Sequence, residues 1–208
     1  MIPLLNVNWQ AAPDFYSLNE RDTDVLSLID EEGLTTFTFD GLKRRLGLHP
    51  ETLSRILSRL EQEGMVKKSP EGYTVTPKIT KLKFHTTRDE ASSVSLLQTF
   101  LPSDMLNERL IVDLKGKWFG VLRWLGMSEN SEGVTLKWIT EDGGIQIAAI
   151  ISEIELNIEA KFLSDTNLNL ALKAAYQLMA QIGKLYSSTR LARHVAFYGD
   201  SNFYLMPA

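Results

Sequence analysis

The sequence predicts an α+β fold in two parts, and three observations lead to that prediction. Residues 39–64 have the spacing of two short helices joined by a tight turn, with apolar positions every three or four residues. A short hairpin pattern with a Pro/Gly turn follows at residues 65–76. From residue 109 onward the apolar period changes to two, which is typical of an antiparallel sheet, and residues 168–186 indicate a long helix that covers this sheet.

The first helix is predicted over residues 19–32. The acidic residues Glu20, Asp22 and Asp24 lie near its start, where they suit the positive end of the helix dipole, and Gly33 is its expected terminator. The side chains expected to be buried are Val25, Leu26, Leu28 and Ile29. Residues 35–38 then fit a short strand that pairs with the hairpin.

The second and third helices are specified by local signals. We expect Asp40 to cap the second helix and Gly47 to allow the turn after it. Pro50 suits the first position of the third helix, and Gly64 suits the left-handed residue that follows a helix. The apolar stripe of the third helix consists of Leu53, Ile56, Leu57 and Leu60. Its opposite side is therefore available to a partner.

This succession of helices and hairpin over residues 22–78 resembles the winged helix-turn-helix regulators of the MarR and ArsR type. The resemblance covers about a quarter of the chain and is carried by the stretch LHPETLSRILSRLEQEGMVKK. It implies a third helix that enters the major groove of double-stranded DNA, and a wing that lies along a neighbouring groove or the backbone. A homodimer would place two such helices about 34 Å apart on one face of the duplex.

The charge distribution supports a polyanionic partner for the winged-helix region. The whole chain carries a formal net charge of -4. Residues 40–88 nevertheless hold eleven lysines and arginines against five acidic residues, whereas the segments on either side are net negative. Positive charge is thus concentrated where a phosphate-binding surface would need it.

The predicted DNA contacts lie on and around the exposed side of the third helix. Arginine can donate to guanine edges or phosphates, glutamate can accept from cytosine, and hydroxyl side chains can reach bases or phosphates. Lysines and arginines of the second helix and the wing would supply charge for the backbone. The predicted set is Lys43, Arg44, Arg45, His49, Glu51, Thr52, Ser54, Arg55, Ser58, Arg59, Lys67 and Lys68. The alternative is a solvated face on a winged helix that binds protein.

Three segments follow from these patterns. Residues 1–88 would form the winged-helix domain with an N-terminal arm, and residues 89–104 a connecting helix or linker. Residues 105–208 would form an α+β domain that dimerises, senses a small-molecule effector, or both. Within it, alternation predicts strands separated by turns at residues 128–133 and 141–144, and a final hairpin over residues 195–206. The polar residues of its long helix form a narrow stripe, which favours a contact beyond the sheet.

Other function classes find little support in the sequence. The absence of cysteine excludes disulfides and thiolate metal sites and favours a reducing cytoplasm. The three histidines have no metal-ligand spacing, no nucleophile motif is present, and we expect no catalytic residue, metal or cofactor. The first residues resemble neither a signal peptide nor a membrane span.

The predicted function is therefore a DNA-binding transcriptional regulator. Two alternatives stay open at this point. One is a winged helix that serves as a protein-interaction module. The other is a small-molecule-binding or enzymatic C-terminal domain that a winged helix targets, with an apolar pocket lined by tryptophans such as Trp118, Trp124 and Trp138.

Overall fold

The computed structural model describes residues 18–77, 79, 93–102, 107–131, 133–164 and 167–199, the last range with side chains to residue 187. Its elements in chain order are α1 (Glu20–Glu31), β1 (Thr36–Phe37), α2 (Phe39–Leu46), α3 (Pro50–Gln62), β2 (Val66–Ser69), β3 (Gly72–Val75), β4 (Ser93–Phe100), α4 (Asn107–Leu114), β5 (Leu122–Asn130), β6 (Gly133–Thr140), β7 (Ile145–Ile151), β8 (Glu155–Phe162) and α5 (Leu168–Gly199). The α+β class, the winged helix-turn-helix and the long C-terminal helix are confirmed.

One continuous antiparallel sheet runs through the described residues, in the order β2-β3-β1-β5-β6-β7-β8-β4. The two-residue strand β1 joins the wing to the rest, because Thr36 and Phe37 pair with β3 on one side and with β5 on the other. On the β5 side the partner of Phe37 is Gly126, where any side chain would clash with the Thr36 carbonyl. The winged helix and the C-terminal strands are therefore parts of one hydrogen-bonded layer.

Each face of the sheet carries its own hydrophobic cluster. Helices α1 to α3 enclose one cluster with β1 and the wing, around the buried side chains of Leu26, Phe37 and Leu53. Helices α4 and α5 enclose the other cluster, where Trp138 is fully buried and meets Trp124 edge to face at 5.2 Å between ring centroids. The two clusters follow the two predicted domains, although the predicted boundary between them stays a prediction.

The predicted connecting helix is wrong where the structure describes it, because residues 93–100 form β4 and pair with β8. A bulge between Ser95 and Leu97 explains the error. It lets both Leu96 and Leu97 pack on the same cluster, so the strand lacks the strict alternation that would have revealed it. Residues 89–92 and 103–104 lie outside the described residues.

Other predicted elements in the C-terminal part have shifted bounds. Residues 109–114 belong to α4 instead of a strand, and β5 continues to Asn130 before it turns. The predicted strand at residues 195–198 is part of α5, which is longer than expected, and residues 200–206 lie outside the described residues.

The cap of α2 also differs from the prediction, because Thr38 takes the role expected of Asp40. The Thr38 hydroxyl accepts a hydrogen bond from the Gly41 N–H at 3.2 Å and donates one to the Trp124 carbonyl at 3.0 Å. A single side chain thus caps α2 and joins it to β5. The backbone of Gly41 lies against Leu125, with no room for a side chain between them.

A buried polar network joins the end of α1 to the sheet face beneath it. The Glu32 carboxylate accepts from Lys137 Nζ at 2.8 Å, Gln146 Nε2 at 2.7 Å, Lys161 Nζ at 2.9 Å and an Arg45 nitrogen at 3.3 Å. Burial raises the pKa of Glu32, but the Lys137 charge and the hydrogen bonds from Lys137, Gln146 and Lys161 outweigh it. The resulting pKa lies well below the ordinary value.

Replacing Lys137 with Met should lower the free energy of unfolding by about 3 kcal/mol. Removing one partner leaves a buried charge less compensated, and the loss falls at the lower end of the usual range because Lys161 and Arg45 remain. Urea denaturation followed by circular dichroism measures it. Lys173→Met, at an exposed position of α5, is the control and should change stability by less than about 0.5 kcal/mol. Equal losses in the two variants would contradict the role of the network.

Acid should destabilise the protein partly through Glu32. Its folded-state pKa is lowered from 4.5, so its contribution is complete above that value and is lost progressively as pH falls below it. The fall in urea midpoint between about pH 5 and pH 3 should therefore be smaller in Glu32→Gln than in the wild type. Identical slopes in the two proteins would show that another carboxyl group dominates the acid response.

Candidate nucleic-acid interface

Helix α3 is held by both of its ends and by one buried stripe. At the start, the His49 ring nitrogen Nδ1 accepts from the Glu51 N–H at 3.4 Å, and Pro50 occupies the first turn. At the end, Gly64 adopts a φ of +69°, as a glycine after a helix commonly does. The side chains of the stripe, all at most 1% exposed, are Leu53, Ile56, Leu57 and Leu60. These local signals confirm the predicted bounds of the helix.

The opposite side of α3 is open to solvent. Glu51, Ser54, Arg55 and Ser58 are exposed, and Thr52 is half-buried. The Arg55 side chain is 72% exposed and pairs with Glu51 one turn away, itself 65% exposed. Such solvated pairs contribute little to stability, so a phosphate or a base can take the Arg55 guanidinium from Glu51 at small cost.

Arg59 makes a two-point ion pair with α1. Its Nε donates to Asp22 Oδ2 at 3.0 Å and its second guanidinium nitrogen donates to Asp22 Oδ1 at 2.5 Å. Asp22 is fully buried and also forms a capping box with Asn19 at the start of α1. Arg59 therefore sets the position of α3 on α1, while about a third of its side chain stays exposed.

Arg45 occupies a different place from the one that its sequence position suggests. Its side chain is 9% exposed and donates to Glu32 and to Gln146, both at 3.3 Å. This geometry does not support the predicted phosphate contact, because the guanidinium is enclosed between α2 and the sheet. Lys43 and Arg44 lie nearer the surface, where Lys43 pairs with Asp40 at 2.9 Å.

The wing is short and its tip is acidic. Two residues, Pro70 and Glu71, connect β2 and β3, and Glu71 pairs at 2.8 Å with Lys115, the residue that follows α4. Lys67 and Lys68 are both exposed on β2, on opposite sides of the strand because side chains alternate. The exposed positive charge of the wing therefore lies along β2 and not at the tip.

An aromatic contact beside α2 had no signal in the sequence. Trp118, predicted as part of a strand, is 56% exposed, and the Arg44 and Arg123 guanidinium groups lie 5.8 Å and 5.0 Å from its ring centroid. Arg123 is further fixed by Glu141 at 3.1 Å. The C-terminal part thus positions one of the predicted phosphate-contacting arginines.

Metal-ligand geometry is absent from the described side chains, which contain no suitable group of three His, Cys, Asp or Glu residues. In the described part of the chain, no helix combines the length and the apolar character needed to cross a membrane.

The organisation of α1 to α3 and the wing has a known counterpart. Residues 18–71 match the model of the MarR family. The MarR-type region begins just before α1 and ends at the turn of the wing, so it contains α3 and β2. It has the winged helix-turn-helix arrangement of a family of transcriptional regulators, and the rest of the chain lies outside the match. Neither a curated protein nor a solved structure matches the chain significantly.

Proposed function

We propose that this protein is a transcriptional regulator that reads double-stranded DNA with the exposed side of α3. One observation carries the proposal. Within the MarR-type region, α3 is held rigidly on its buried side and presents polar side chains to solvent on the opposite side. Helix α3 is fixed by its apolar stripe and by the ion pair between Arg59 and Asp22, whereas the ion pair of Arg55 within the described residues is with an exposed glutamate. Rigid support beneath adaptable donors suits recognition of base edges.

The contacts fall into two groups. Base edges in the major groove would meet Glu51, Thr52, Ser54, Arg55 and Ser58, with Arg59 acting through the position of the helix. The sugar-phosphate backbone would meet Lys43, Arg44, His49, Lys67 and Lys68. Arg45 is left out of both groups because it is enclosed in the network around Glu32.

We further propose that the protein acts as a homodimer in the cytoplasm. Two-fold symmetry would present two α3 helices to half-sites about 34 Å or a multiple of that distance apart. The C-terminal part, which covers the other face of the sheet, would supply the dimer contact, the effector site or both. Strand β1 pairs with β3 of the wing and with β5 of the C-terminal part. A conformational change in the C-terminal part could therefore shift the proposed DNA-binding surface directly through the sheet.

Arg55→Ala should weaken binding to a selected operator by roughly 1–3 kcal/mol and relax base preference at one position. Fluorescence anisotropy with the selected duplex and with a scrambled duplex measures both effects. Lys173→Ala on α5 serves as the control and should bind as the wild type does. Equal losses on the two duplexes would mean that Arg55 contacts phosphate, and no loss on either would remove it from the interface.

Salt titration should separate the exposed wing lysine from the enclosed arginine. Lys68→Gln should reduce the slope of log K against log salt by about 0.9 per subunit, because one phosphate contact is lost. For Arg45→Gln, the molecules that remain folded should show the same slope of log K against log salt as the wild type, because the Arg45 guanidinium lies within the network around Glu32. A reduced slope in Arg45→Gln, or none in Lys68→Gln, would contradict the assignment of these two residues.

A further inference from the structure

Strand β4 is an outer edge of the sheet. Within the described residues it pairs with β8 on one side and with no strand on the other. Its eight residues, Ser93–Phe100, include no charged side chain and no proline. The opposite edge of the sheet, β2, carries two lysines in four residues. Because lysine and proline commonly protect an exposed edge, β4 lacks two features that keep a sheet from adding a further strand.

The bulge in β4 changes the alternation of its side chains. Val94 and Thr99 pair with two residues of the cluster under α4 and α5, and paired residues of an antiparallel sheet lie on the same face. Leu96 and Leu97 also pack on that cluster, because the extra residue of the bulge breaks the alternation. The residues on the opposite face are Ser93, Ser95, Gln98 and Phe100. The order of faces along β4 is therefore the same when it is read from either end.

The backbone of β4 has the same symmetry. The Ser152 N–H donates to the Glu155 carbonyl at 3.0 Å, so odd-numbered residues of β8 direct their backbone groups to β7 and even-numbered residues direct theirs to β4. The β4 residues that pair with even-numbered residues of β8 are Val94, Leu97 and Thr99. Since backbone groups alternate in direction, the residues with outward N–H and C=O groups are Ser93, Ser95, Gln98 and Phe100.

A second copy of the same strand fits both patterns. Two β4 strands can run antiparallel about a two-fold axis that lies between Leu96 and Leu97. Every side chain then meets one from the same face, and the outward backbone groups of the two copies form about eight hydrogen bonds. In a strand without a bulge, an axis between two residues would set opposite faces against each other. The facing pairs are Ser93 with Phe100, Val94 with Thr99, Ser95 with Gln98, and Leu96 with Leu97.

The facing side chains are compatible in chemistry. Leu96 and Leu97 of both copies would meet at the axis and extend the cluster under α4 and α5 from one copy to the other. The Ser95 hydroxyl donates to an asparagine of β8 and can also accept a hydrogen bond from Gln98 of the second copy. Phe100, which is 71% exposed, would be partly covered. Like charges do not meet, because β4 is uncharged.

The bulge also decides which partner fits. A bulge usually protects an edge, because a strand without one cannot follow the kink. A second copy carries the same bulge at the axis and follows it. We propose that two copies of this chain join through their β4 edges in this antiparallel register, so that the two sheets become one. The inference deepens the proposed function and rests on its homodimer, to which it assigns the contact.

Oxidative cross-linking of the full chain tests the register. The chain has no cysteine, so introduced thiols have no native competitors. Val94→Cys with Thr99→Cys sets two thiols in a facing pair without hydrogen bonds, where the Cα atoms lie about 4.5 Å apart, within disulfide range. We expect a covalent dimer on non-reducing electrophoresis. Val94→Cys with Gln98→Cys is the control, because its thiols lie on opposite faces, and should give at least about tenfold less dimer. No cross-linked dimer, or equal amounts in both variants, would overturn the proposal.

Charge variants test the same contact in solution. Ser95→Lys with Gln98→Lys sets ammonium against ammonium across the axis, whereas Ser95→Lys with Gln98→Glu sets ammonium against carboxylate. Sedimentation equilibrium measures the dimer dissociation constant, and the wild type should show twice the chain mass of 23.5 kDa. We expect the constant of the like-charge variant to exceed that of the opposite-charge variant at least about tenfold, with both folded by circular dichroism. Equal constants would overturn the proposal.

The same preparations separate this inference from the proposed function. DNA binding is measured on the wild type and on both charge variants by the anisotropy experiment described for Arg55. If a dimeric wild type binds its operator but the β4 variants neither cross-link nor respond to charge, the β4 contact alone fails. If the chain dimerises through β4 and no duplex is bound, the contact stands and the regulator proposal fails. A monomer at every concentration would overturn the contact and the proposed homodimer together.

Discussion

The position of the winged helix depends on one buried carboxylate. Glu32 ends α1 above a sheet face on which Lys137 and Lys161 present their ammonium groups, and Arg45 of α2 completes its surroundings. Buried ion pairs contribute less to net stability than their short distances suggest, because each charge must leave water. Their geometric demands are nevertheless strict. The network therefore fixes where α1 and α2 sit on the sheet more than it adds to the stability of the fold.

Helix α1 also fixes the position of α3. At its other end, Asn19 and Asp22 form the capping box, and the Asp22 carboxylate holds the Arg59 guanidinium by two hydrogen bonds. Helix α1 is thus anchored to the sheet by its last turn and to α3 by its first. Between these two polar contacts the core is apolar, with Leu26 and Ile29 at most 1% exposed. Arg59, which the sequence suggests as a DNA contact, serves chiefly to orient α3.

Local signals made α3 and the wing predictable, since Pro50, Gly64 and the apolar stripe act within a few residues of each other. Long-range contacts were not predictable in this way. Glu32 and Lys161 lie 129 positions apart, and each resembles an ordinary surface charge in the sequence. The β4 bulge hid a strand, and Arg45 looked like its exposed neighbours until the sheet beneath it was known.

Strand β1 limits how the winged helix of this protein could be replaced by that of another protein. In two residues it serves as the third strand of the wing sheet and as the neighbour of β5, so its backbone groups are engaged on both edges. A winged helix transplanted from another regulator would need the same spacing between its first and second helices, a glycine opposite Phe37 in the recipient, and an acid where Glu32 stands. The winged helix of this protein is consequently a built-in part of the sheet and not a separately exchangeable domain.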